Sequence, residues 1–458
     1  MSAERHRLRA VLGGLAMTLV LFAAAEIVAR LLGIAPQPWP ASGEGMGSPG
    51  IRVDPLLGPL PEPGWSGRWA NAFDVSIDAH GFRASGAPPA AAGSPRVVVL
   101  GDSCGFGWGV DTPDTFTAQL AAADDGAPPT VEILNAAYPG HSAVAGLQNL
   151  RQRVLPLKPA LVVVAFSANN AFRFSVVADA DRFHNVTLRA LLLRSRLFHI
   201  AAAALANRRA ATPHPRDRRA IAAIAPHDLK RVAAPSAFAE ALTATVDAAR
   251  AQGAQVLFLL FPRAALVSTA FWEEDAARVA RQPNADARAL LELSCLQPQA
   301  STDPLAAVQN AAPQWQPMYP DDVALRDALQ AGARAGVAGD LTAATQRFAA
   351  AVASHPTSPL ALYDLGVTRL QAGDAGGLEA LRSAEQLSCS TFVQYQAAVW
   401  QVATAQHVPV VDLTLAFQAA PDAASLYLDP AHPNAAGQRI IAAALRPALA
   451  QTLSAGGR

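Results

Sequence analysis

A serine, an aspartate and a histidine stand in this sequence where together they could perform nucleophilic catalysis. Asp429 and His432 are separated by two residues near the C-terminus. That spacing lets carboxylate and imidazole meet across a single turn, so that the aspartate holds one ring nitrogen while the other faces a serine hydroxyl. Ser103, in the triplet Gly101-Asp102-Ser103, is the candidate for that hydroxyl. The three residues predict attack of the serine on an acyl group, with a covalent acyl-enzyme as the intermediate.

The residues around Ser103 fit two kinds of hydrolase. A serine that follows a parallel strand among glycines can sit on a tight turn, with its own backbone N–H pointing at the same space as its hydroxyl. Gly101 to Gly105 also satisfies the G-x-S-x-G pattern of the α/β-hydrolase nucleophile elbow. In those enzymes the acid and the histidine come from separate loops, so the short spacing of Asp429 and His432 argues against that fold. Cys104 is a poor alternative nucleophile, because it leaves Ser103 without a role and no second dyad is visible.

Two further segments could donate hydrogen bonds to an oxyanion. The segment Val131–Ser142 begins with a predicted strand and continues into a loop containing Gly140, whose backbone N–H is one candidate donor. The segment Phe166–Asn170 follows another predicted strand, and the side-chain amide of Asn169 is a second candidate. In a parallel sheet, ligand chemistry gathers at the carboxyl ends of the strands. We therefore expect these donors to lie on the same edge of the sheet as Ser103.

The order of these motifs along the chain resembles that of the SGNH (GDSL) hydrolases. The resemblance implies that Ser103 is the nucleophile, His432 the base and Asp429 the residue that orients the base. It also implies an oxyanion hole formed by the N–H groups of Ser103 and Gly140 and by the side chain of Asn169. It covers roughly residues 70 to 450, apart from a repeat-like region, and its four motifs are specific for the fold and less so for the substrate.

The sequence departs from the family pattern beside two of these motifs. Ser167 and Asn170 stand where the family usually has glycine and an acidic residue, so we expect Asn170 to keep the hydrogen-bond geometry without the charge. Cys104 replaces the common leucine or other apolar residue after the serine. The segment Phe73–Arg83, which ends in Gly-Phe-Arg, resembles the one that precedes the catalytic core in exported, membrane-anchored members with repeats.

Short runs of β-branched and other apolar residues predict the elements that position these side chains. Continuous apolar strands that alternate with helical spacing indicate a parallel sheet covered on both faces. The predicted fold is therefore α/β, a three-layer α/β/α sandwich of the flavodoxin-like type that the SGNH resemblance also implies. The predicted strands are 97–100, 131–134, 161–164, 256–260 and 408–411, and helices are predicted at 238–251, at 393–405 and from Ala435 onward.

One region departs from the alternating pattern. Gly339-Asp340 and Gly373-Asp374 are 34 residues apart, which is the period of the tetratricopeptide repeat. The first copy has small, aromatic and helix-ending residues at the repeat offsets, whereas the second has Arg369 and Arg382 where larger apolar groups are usual. Residues 325–387 thus predict one regular and one degenerate repeat, which must pack on the catalytic domain or on another chain. A plain helical hairpin is the alternative.

The N-terminus predicts a membrane anchor. Arg5, Arg7 and Arg9 precede the uncharged, mostly apolar run Ala10–Ala25, and basic residues before such a run keep the N-terminus in the cytoplasm. The run is short for a membrane span, and Ala23–Ala25 could serve as a signal-peptide cleavage site. Because apolar residues continue to Ile34, we favour an uncleaved anchor. Both interpretations place the main domain outside the cytoplasm.

Composition excludes several other classes of function. The 458-residue chain has a formal net charge of zero, so no broad basic face can hold a nucleic acid. The histidines other than His432 show no metal-ligand spacing, so we predict neither a metal nor another cofactor. Cys295 and Cys389 could pair in an oxidising compartment, or they could be two small buried side chains.

The sequence therefore predicts a serine esterase that acts on O-acyl esters, and what the resemblance implies is substrates among exported or cell-envelope carbohydrates. Two alternatives stay open: an O-acyltransferase with the same site, and a non-catalytic glycan-binding or scaffold protein whose repeats recruit a partner. The expected location is the cytoplasmic membrane, crossed once, with the catalytic domain on the periplasmic side. The predicted segments are a basic flank (1–9), an anchor (10–34), a Pro/Gly-rich linker (35–70), the hydrolase domain (71–324 and 388–458) and the helical insertion (325–387).

Overall fold

A computed structural model describes the chain in ten stretches. These are residues 2–35, 49–69, 72–87, 90–122, 130–166, 168–170, 179–210, 231–266, 318–388 and 390–456. The chain divides into two compact units. The first comprises residues 1–47, 51–60 and 184–217, and the second comprises residues 48–50, 61–183 and 218–458. Ser167, Cys295 and Cys389 lie outside the described residues. The pairing of the two cysteines therefore stays a prediction.

The described elements are numbered in chain order. The strands are β1 (Ile51–Asp54), β2 (Gly58–Pro61), β3 (Ser66–Trp69), β4 (Phe73–Ser76), β5 (Arg96–Gly101), β6 (Glu132–Asn135), β7 (Leu161–Ala165), β8 (Gln255–Leu260) and β9 (Val410–Asp412). The helices are α1 (Ser2–Leu31), α2 (Ser103–Phe106), α3 (Phe116–Ala121), α4 (Ala143–Asn149), α5 (Asp179–Arg182), α6 (Val186–Leu192), α7 (Arg196–Ala210), α8 (Pro235–Arg250), α9 (Val323–Val337), α10 (Leu341–Ser354), α11 (Pro359–Gln371), α12 (Gly377–Ser388), α13 (Thr391–Gln406), α14 (Thr414–Gln418) and α15 (Ala435–Gly456).

The second unit is built on a parallel sheet. Among the described residues, five strands form it in the order β6-β5-β7-β8-β9, and each neighbouring pair is parallel. These are the five strands predicted from the apolar runs, with bounds shifted by one or two residues. Consecutive residues of β5 and β7 are buried, and because successive side chains in a strand point to opposite faces, both faces of the sheet are covered. The α/β class and the parallel sheet are therefore confirmed.

Helices from both halves of the chain cover the sheet. The C-terminal helix α15 packs on α3 and on strands β8 and β9. Helix α8 packs on α4, α13 and β8. The three longer helices expected from sequence, over 238–251, 393–405 and from Ala435, correspond to α8, α13 and α15.

The region predicted to hold repeats is a run of packed helices. Each of α9, α10, α11 and α12 packs against the next, and α12 packs against α13. Helix α9 also packs on α14, where Gly336 lies close to Leu415. The side-chain amide of Gln418 donates a 3.0 Å hydrogen bond to the buried carboxyl of Asp364 in α11. The helices thus belong to the same compact unit as the sheet. Successive packed helices suit both repeats and a plain hairpin, so the tetratricopeptide assignment stays a prediction.

The segment predicted as a linker is more ordered than expected where the structure describes it. Residues 51–69, within the predicted linker 35–70, contain β1, β2 and β3. Leu57, Leu60 and Trp69 are buried, and this apolar content separates the segment from a solvated linker. The prolines and glycines that indicated an extended chain instead leave room for turns between short strands. Residues 36–48, the other part of the predicted linker, lie outside the described residues.

One helix is long and apolar enough to cross a membrane. Within α1, residues Leu12–Leu31 form a 20-residue apolar stretch of which 6% is buried. A helix of that length spans about 30 Å, the thickness of the hydrocarbon core of a bilayer. A signal sequence at the N-terminus would have the same length and composition, so the choice between anchor and signal stays open here.

The close approach of β5 and β7 allows a test of the sheet edge that carries Ser103. Gly101 pairs with Ala165, and a Cβ at position 101 would lie inside van der Waals contact with the carbonyl oxygen of Ala165. That oxygen belongs to the backbone of a buried strand, which cannot move without disturbing the sheet. We expect Gly101→Ala to lower the free energy of unfolding by about 1–3 kcal/mol, measured by denaturant titration.

Gly376→Ala provides the control for this change. An added Cβ at Gly376 meets only the side-chain carboxylate of Asp374, which can turn away. A Gly101→Ala protein as stable as the control would contradict the close approach of the two strands.

Candidate active site

Ser103 begins a helix directly after a buried strand. Strand β5 ends at Gly101, and Asp102 caps helix α2, its carboxylate accepting a 3.0 Å hydrogen bond from the N–H of Cys104. Such a cap fixes the turn from strand to helix, because the side chain replaces a hydrogen-bond partner that the first helical turn lacks. Asp102 is buried, whereas Ser103 is partly exposed. The serine hydroxyl therefore lies at the carboxyl edge of the sheet, where solvent and a ligand can reach it.

The Asp429–His432 pair is held within one turn. One carboxylate oxygen of Asp429 accepts hydrogen bonds from the backbone N–H groups of Ala431, at 2.8 Å, and His432, at 2.9 Å. The other oxygen lies 2.7 Å from Nδ1 of His432. The N–H of Leu428 donates a 2.8 Å hydrogen bond to the carbonyl of His432, which closes the loop. The turn therefore sets both the position of the imidazole and the nitrogen that faces away from the aspartate.

The structure brings the three predicted residues together. Nε2 of His432 lies 2.8 Å from Oγ of Ser103, and Nδ1 of the same ring lies 2.7 Å from Oδ2 of Asp429. Both distances are those of good hydrogen bonds. The side chain of His432 is 18% exposed and that of Asp429 is 45% exposed, so the site is open to solvent on the side of the acid. The arrangement can transfer the serine proton to the ring while the carboxylate stabilises the charged imidazole.

The surroundings of Asp429 favour its ionised form. Burial raises the pKa of its carboxyl, but the hydrogen bond from His432, the charge of that ring and the two backbone N–H groups together lower the pKa below its usual value. Asp429 is therefore a carboxylate at neutral pH, as an orienting acid must be.

The predicted oxyanion donors follow the neighbouring strands. The loop after β6 starts beside the serine turn, since the N–H of Tyr138 donates a 3.0 Å hydrogen bond to the carbonyl of Gly101. Gly140, two residues later, is exposed and has φ +82°. Residues other than glycine rarely adopt this backbone conformation. Among the described residues, neither the N–H of Ser103 nor that of Gly140 donates to another protein group. Both are thus available to a ligand.

Asn169 and Asn170 differ in what they contact. Both lie in the 3₁₀ helix Ala168–Asn170 after β7. The side-chain amide of Asn169 is partly exposed and donates a long hydrogen bond, 3.4 Å, to the carbonyl of His141, next to Gly140. Asn170 is buried, and its side-chain oxygen accepts a 2.8 Å hydrogen bond from the N–H of Ala143 at the start of α4. Asn169 thus connects the segment after β7 to the loop that contains Gly140. Asn170 caps helix α4 with a neutral side chain.

Arg83 binds the C-terminal end of helix α2, which begins with Ser103. Sequence analysis did not predict this role. Its buried guanidinium donates to the carbonyl oxygens of Phe106 (3.0 Å), Gly107 (2.6 Å) and Val110 (2.5 Å) and lies 4.7 Å from the centre of the Phe106 ring. Burial lowers the pKa of Arg83 to about 9 and nearby Asp111 opposes that shift, so the group stays charged at neutral pH. The Gly-Phe-Arg segment was visible in the sequence, but nothing there indicated which carbonyl groups the arginine binds.

Cys104 and Trp108 are two further neighbours of the turn that holds Asp429 and His432. The thiol of Cys104 donates to the carbonyl of Ala431, 3.3 Å away, between the aspartate and the histidine. The ring of Trp108 lies 6.4 Å from that of His432 and packs edge-on against Phe73 at 5.2 Å. One side of the histidine therefore faces aromatic surface. Trp108, in the glycine-rich stretch after Ser103, was the sequence feature that could have indicated this aromatic surface.

The described residues offer no site for a metal ion. No group of three or more His, Cys, Asp or Glu side chains in the described part of the chain is arranged to hold one. His141, beside Gly140, is buried against Tyr138, with ring centres 5.0 Å apart.

Comparison with known proteins finds similarity only among solved structures. No family model matches the sequence, and no curated protein matches it. A lipase/acylhydrolase from Enterococcus faecalis is 14% identical, with a TM-score of 0.32, and the match covers 78% of this chain and 95% of that one. A GDSL-like lipase from Bacteroides thetaiotaomicron is 11% identical, with a TM-score of 0.30 and coverage of 78% and 88%. An acetyl xylan esterase is 11% identical, with a TM-score of 0.31 and coverage of 77% and 99%. Likeness at this level does not determine the activity of this chain, which has to be inferred from its own residues.

Replacement of Arg83 tests its support of the serine helix. Arg83→Lys keeps the charge but cannot present the planar set of donors, so buried carbonyl oxygens at Phe106, Gly107 or Val110 lose their partner. We expect a loss of about 2–4 kcal/mol in the free energy of unfolding, measured by denaturant titration. Arg68→Lys is the matched control, because Arg68 is exposed and donates to a single carbonyl, that of Ala72. Equal stability of the two variants would contradict the role of Arg83.

The lowered pKa of Asp429 predicts how its contribution to stability changes with pH. A carboxyl group whose pKa falls on folding stabilises the fold above its unfolded pKa, about 3.9, and this stabilisation disappears as the pH falls through the lower folded value. Asp429→Asn removes the effect. The difference in free energy of unfolding between the parent and this variant should therefore shrink as the pH falls below about pH 4. A difference that does not change over this range would contradict the lowered pKa.

Proposed function

We propose that this chain is a serine esterase of the SGNH type that acts through an acyl-enzyme on Ser103. The observation that carries the proposal is the continuous set of contacts from Oγ of Ser103 to Nε2 of His432, 2.8 Å, and from Nδ1 of His432 to Asp429, 2.7 Å. Two ordered hydrogen bonds between three chemically matched groups at the edge of a parallel sheet are what nucleophilic catalysis requires.

Each group has one role in the proposed reaction. His432 accepts the proton of Ser103 as the serine oxygen attacks the ester carbonyl, and Asp429 stabilises the resulting imidazolium. The N–H groups of Ser103 and Gly140 and the amide of Asn169 donate to the oxyanion. The tetrahedral intermediate collapses, and His432 returns the proton to the leaving alcohol. Water, deprotonated by His432, then attacks the acyl carbon; the bond from that carbon to Oγ of Ser103 breaks, and His432 returns the proton to Oγ, which releases the acid and free Ser103.

Substrates of the esterase are proposed to be O-acyl esters of exported or cell-envelope carbohydrates. The motif resemblance to anchored SGNH members supports this class, and so does α1, a helix long and apolar enough to span a membrane. Arg5, Arg7 and Arg9 before the apolar stretch favour a cytoplasmic N-terminus and a periplasmic catalytic domain. A sugar hydroxyl in place of water would turn the same steps into O-acyl transfer, the alternative within this mechanism.

The packed helices α9 to α12 are the proposed surface for a protein partner. A cavity of about 300 Å³ is lined by residues of α9 and α11 and of the segment after α14. Polar side chains in its lining include Arg326, Asp327 and Gln330. Partner binding through this region without catalysis is the rival function, which predicts that the nucleophile can be lost without consequence.

Replacement of the nucleophile tests the proposed reaction. The full-length protein in detergent should hydrolyse p-nitrophenyl acetate, and Ser103→Ala should lower kcat/KM by about 10³-fold or more, because the acyl-enzyme can no longer form. Ser454→Ala, an exposed serine in α15, is the matched control and should keep the parent rate. Equal rates in the parent and Ser103→Ala would contradict the serine mechanism.

Mass spectrometry of the reacted protein separates hydrolysis from transfer. An esterase turns over, whereas a transferase without its acceptor releases about one p-nitrophenol per chain and keeps an acetyl group on Ser103. Addition of a sugar acceptor should then restore turnover in the transferase only. A parent protein that releases no p-nitrophenol and carries no adduct would favour the non-catalytic alternative.

A further inference from the structure

Helix α6 exposes three large apolar side chains and turns an arginine inward, unlike a helix that packs in water. Leu188, Leu191 and Leu192 have the spacing of one helix face, and they are 54%, 59% and 38% exposed. Arg189, between them, turns inward and donates a 2.7 Å hydrogen bond to the carbonyl of Pro55 in the same compact unit. In a water-facing helix the leucines would pack inside and the arginine would face out. The outward leucines indicate contact with an apolar environment.

Helix α7 continues this apolar surface. Phe198 and Leu205 are seven residues apart, which is two turns, and both are exposed, whereas Ala203 is buried. Arg208, in the last turn of the same helix, is also exposed. Helices α6 and α7 together therefore present five large apolar side chains with arginine nearby, in the arrangement typical of helices that lie in a membrane surface.

A carboxylate in the apolar helix α1 binds the start of α7. Glu26 accepts hydrogen bonds from the N–H groups of Arg196, at 2.8 Å, and Leu197, at 3.0 Å, and from the hydroxyl of Ser195, at 3.0 Å. Arg30, one turn further along α1, pairs with the same carboxylate at 2.7 Å. Glu26 thus caps two N–H groups of the first turn of α7 from a different helix, while the Ser195 hydroxyl accepts a third, that of Phe198, at 3.2 Å. A charged residue inside an apolar helix is costly in a bilayer unless it has such partners.

The position of Glu26 sets the depth at which α7 begins. Glu26 lies five residues before the end of α1 at Leu31, which corresponds to about 7 Å along the helix axis. Helices at a membrane surface bury their apolar face about 5–10 Å into the boundary between headgroups and acyl chains. If α1 spans the bilayer, the start of α7 lies at that depth.

We propose that α6 and α7 form a membrane-surface element, with Leu188, Leu191, Leu192, Phe198 and Leu205 in contact with the acyl chains of the bilayer. The occupant is lipid because these exposed apolar side chains belong to the same compact unit as α1, which is exposed along its apolar stretch, packs on α7 and is bound to it through Glu26. Arg194 and Arg208 are exposed beside it, where they can bind lipid phosphates. The inference rests on the anchor of the proposed function and does not depend on the catalytic activity.

Photolabelling in vesicles tests this contact. The full chain is reconstituted into vesicles of phosphatidylethanolamine and phosphatidylglycerol that contain an apolar, carbene-generating photolabel, and the labelled residues are mapped by mass spectrometry. We expect adducts in α1 and on the five apolar residues of α6 and α7, and none on the inward residues Val186 and Ala203. Label in α1 without label in α6 and α7 overturns the inference and leaves the anchor intact. Absence of label from all three helices refutes the anchor itself.

Replacement of Glu26 tests how α7 is held. Glu26→Ala removes the cap, so label in α7 should fall by roughly threefold or more while label in α1 is unchanged. Thr18→Val is the matched control, because the Thr18 hydroxyl binds only Gly14 of its own helix. Unchanged label in α7 of Glu26→Ala would overturn the role of the carboxylate. A Leu191→Cys variant that forms disulfide-linked dimers, with α6 and α7 unlabelled, would assign the face to a second copy of the chain and overturn the lipid contact.

Discussion

The hydrogen bond between Ser103 and His432 joins two turns that are 329 residues apart in the sequence, and the candidate site depends on its length of 2.8 Å. Proton transfer between such groups tolerates little error, since a misplacement of about 1 Å can cost roughly 100-fold in rate. Neither turn can ensure that distance alone. The serine turn follows β5 and the histidine turn follows β9, the last described strand. The order and spacing of the four strands β5, β7, β8 and β9 therefore affect whether the two groups meet.

Contacts beside and between the serine turn and the histidine turn further restrict the distance between Ser103 and His432. Arg83 binds the carbonyl groups of Phe106, Gly107 and Val110 at the end of the serine helix and just after it, and its charge is tolerated in the interior because both of its terminal nitrogens donate to carbonyl oxygens. The thiol of Cys104 donates to the carbonyl of Ala431, so the residue after Ser103 contacts the turn that holds Asp429 and His432. A leucine at position 104 would be larger and could not donate to that carbonyl. The cysteine that stands where the SGNH resemblance implies an apolar residue thus adds a direct contact between the two turns.

The sequence was sufficient for those parts of the molecule that are determined locally. The five strands were predictable because buried parallel strands require continuous apolar runs, and the Asp429–His432 turn was predictable because its geometry is contained in four residues. Arg83 and the strands within residues 51–69 were not predictable in the same way. Their structure depends on partners distant in the chain, and a buried arginine or a proline-rich strand looks like a surface residue or a linker until those partners are known.

Glu26 shows the same limit of sequence analysis in the first of the two compact units. In the sequence it is a single acidic residue that interrupts an apolar run, and composition alone gives it no function. The cost of an unpaired carboxylate in an apolar environment means that a stable helix must provide it with donors. The structure supplies them from Ser195, Arg196 and Leu197, about 170 residues later. The residue that interrupts the apolar run is therefore a point at which α7 is attached to α1, because its carboxylate binds two N–H groups that the first turn of α7 leaves without helical partners.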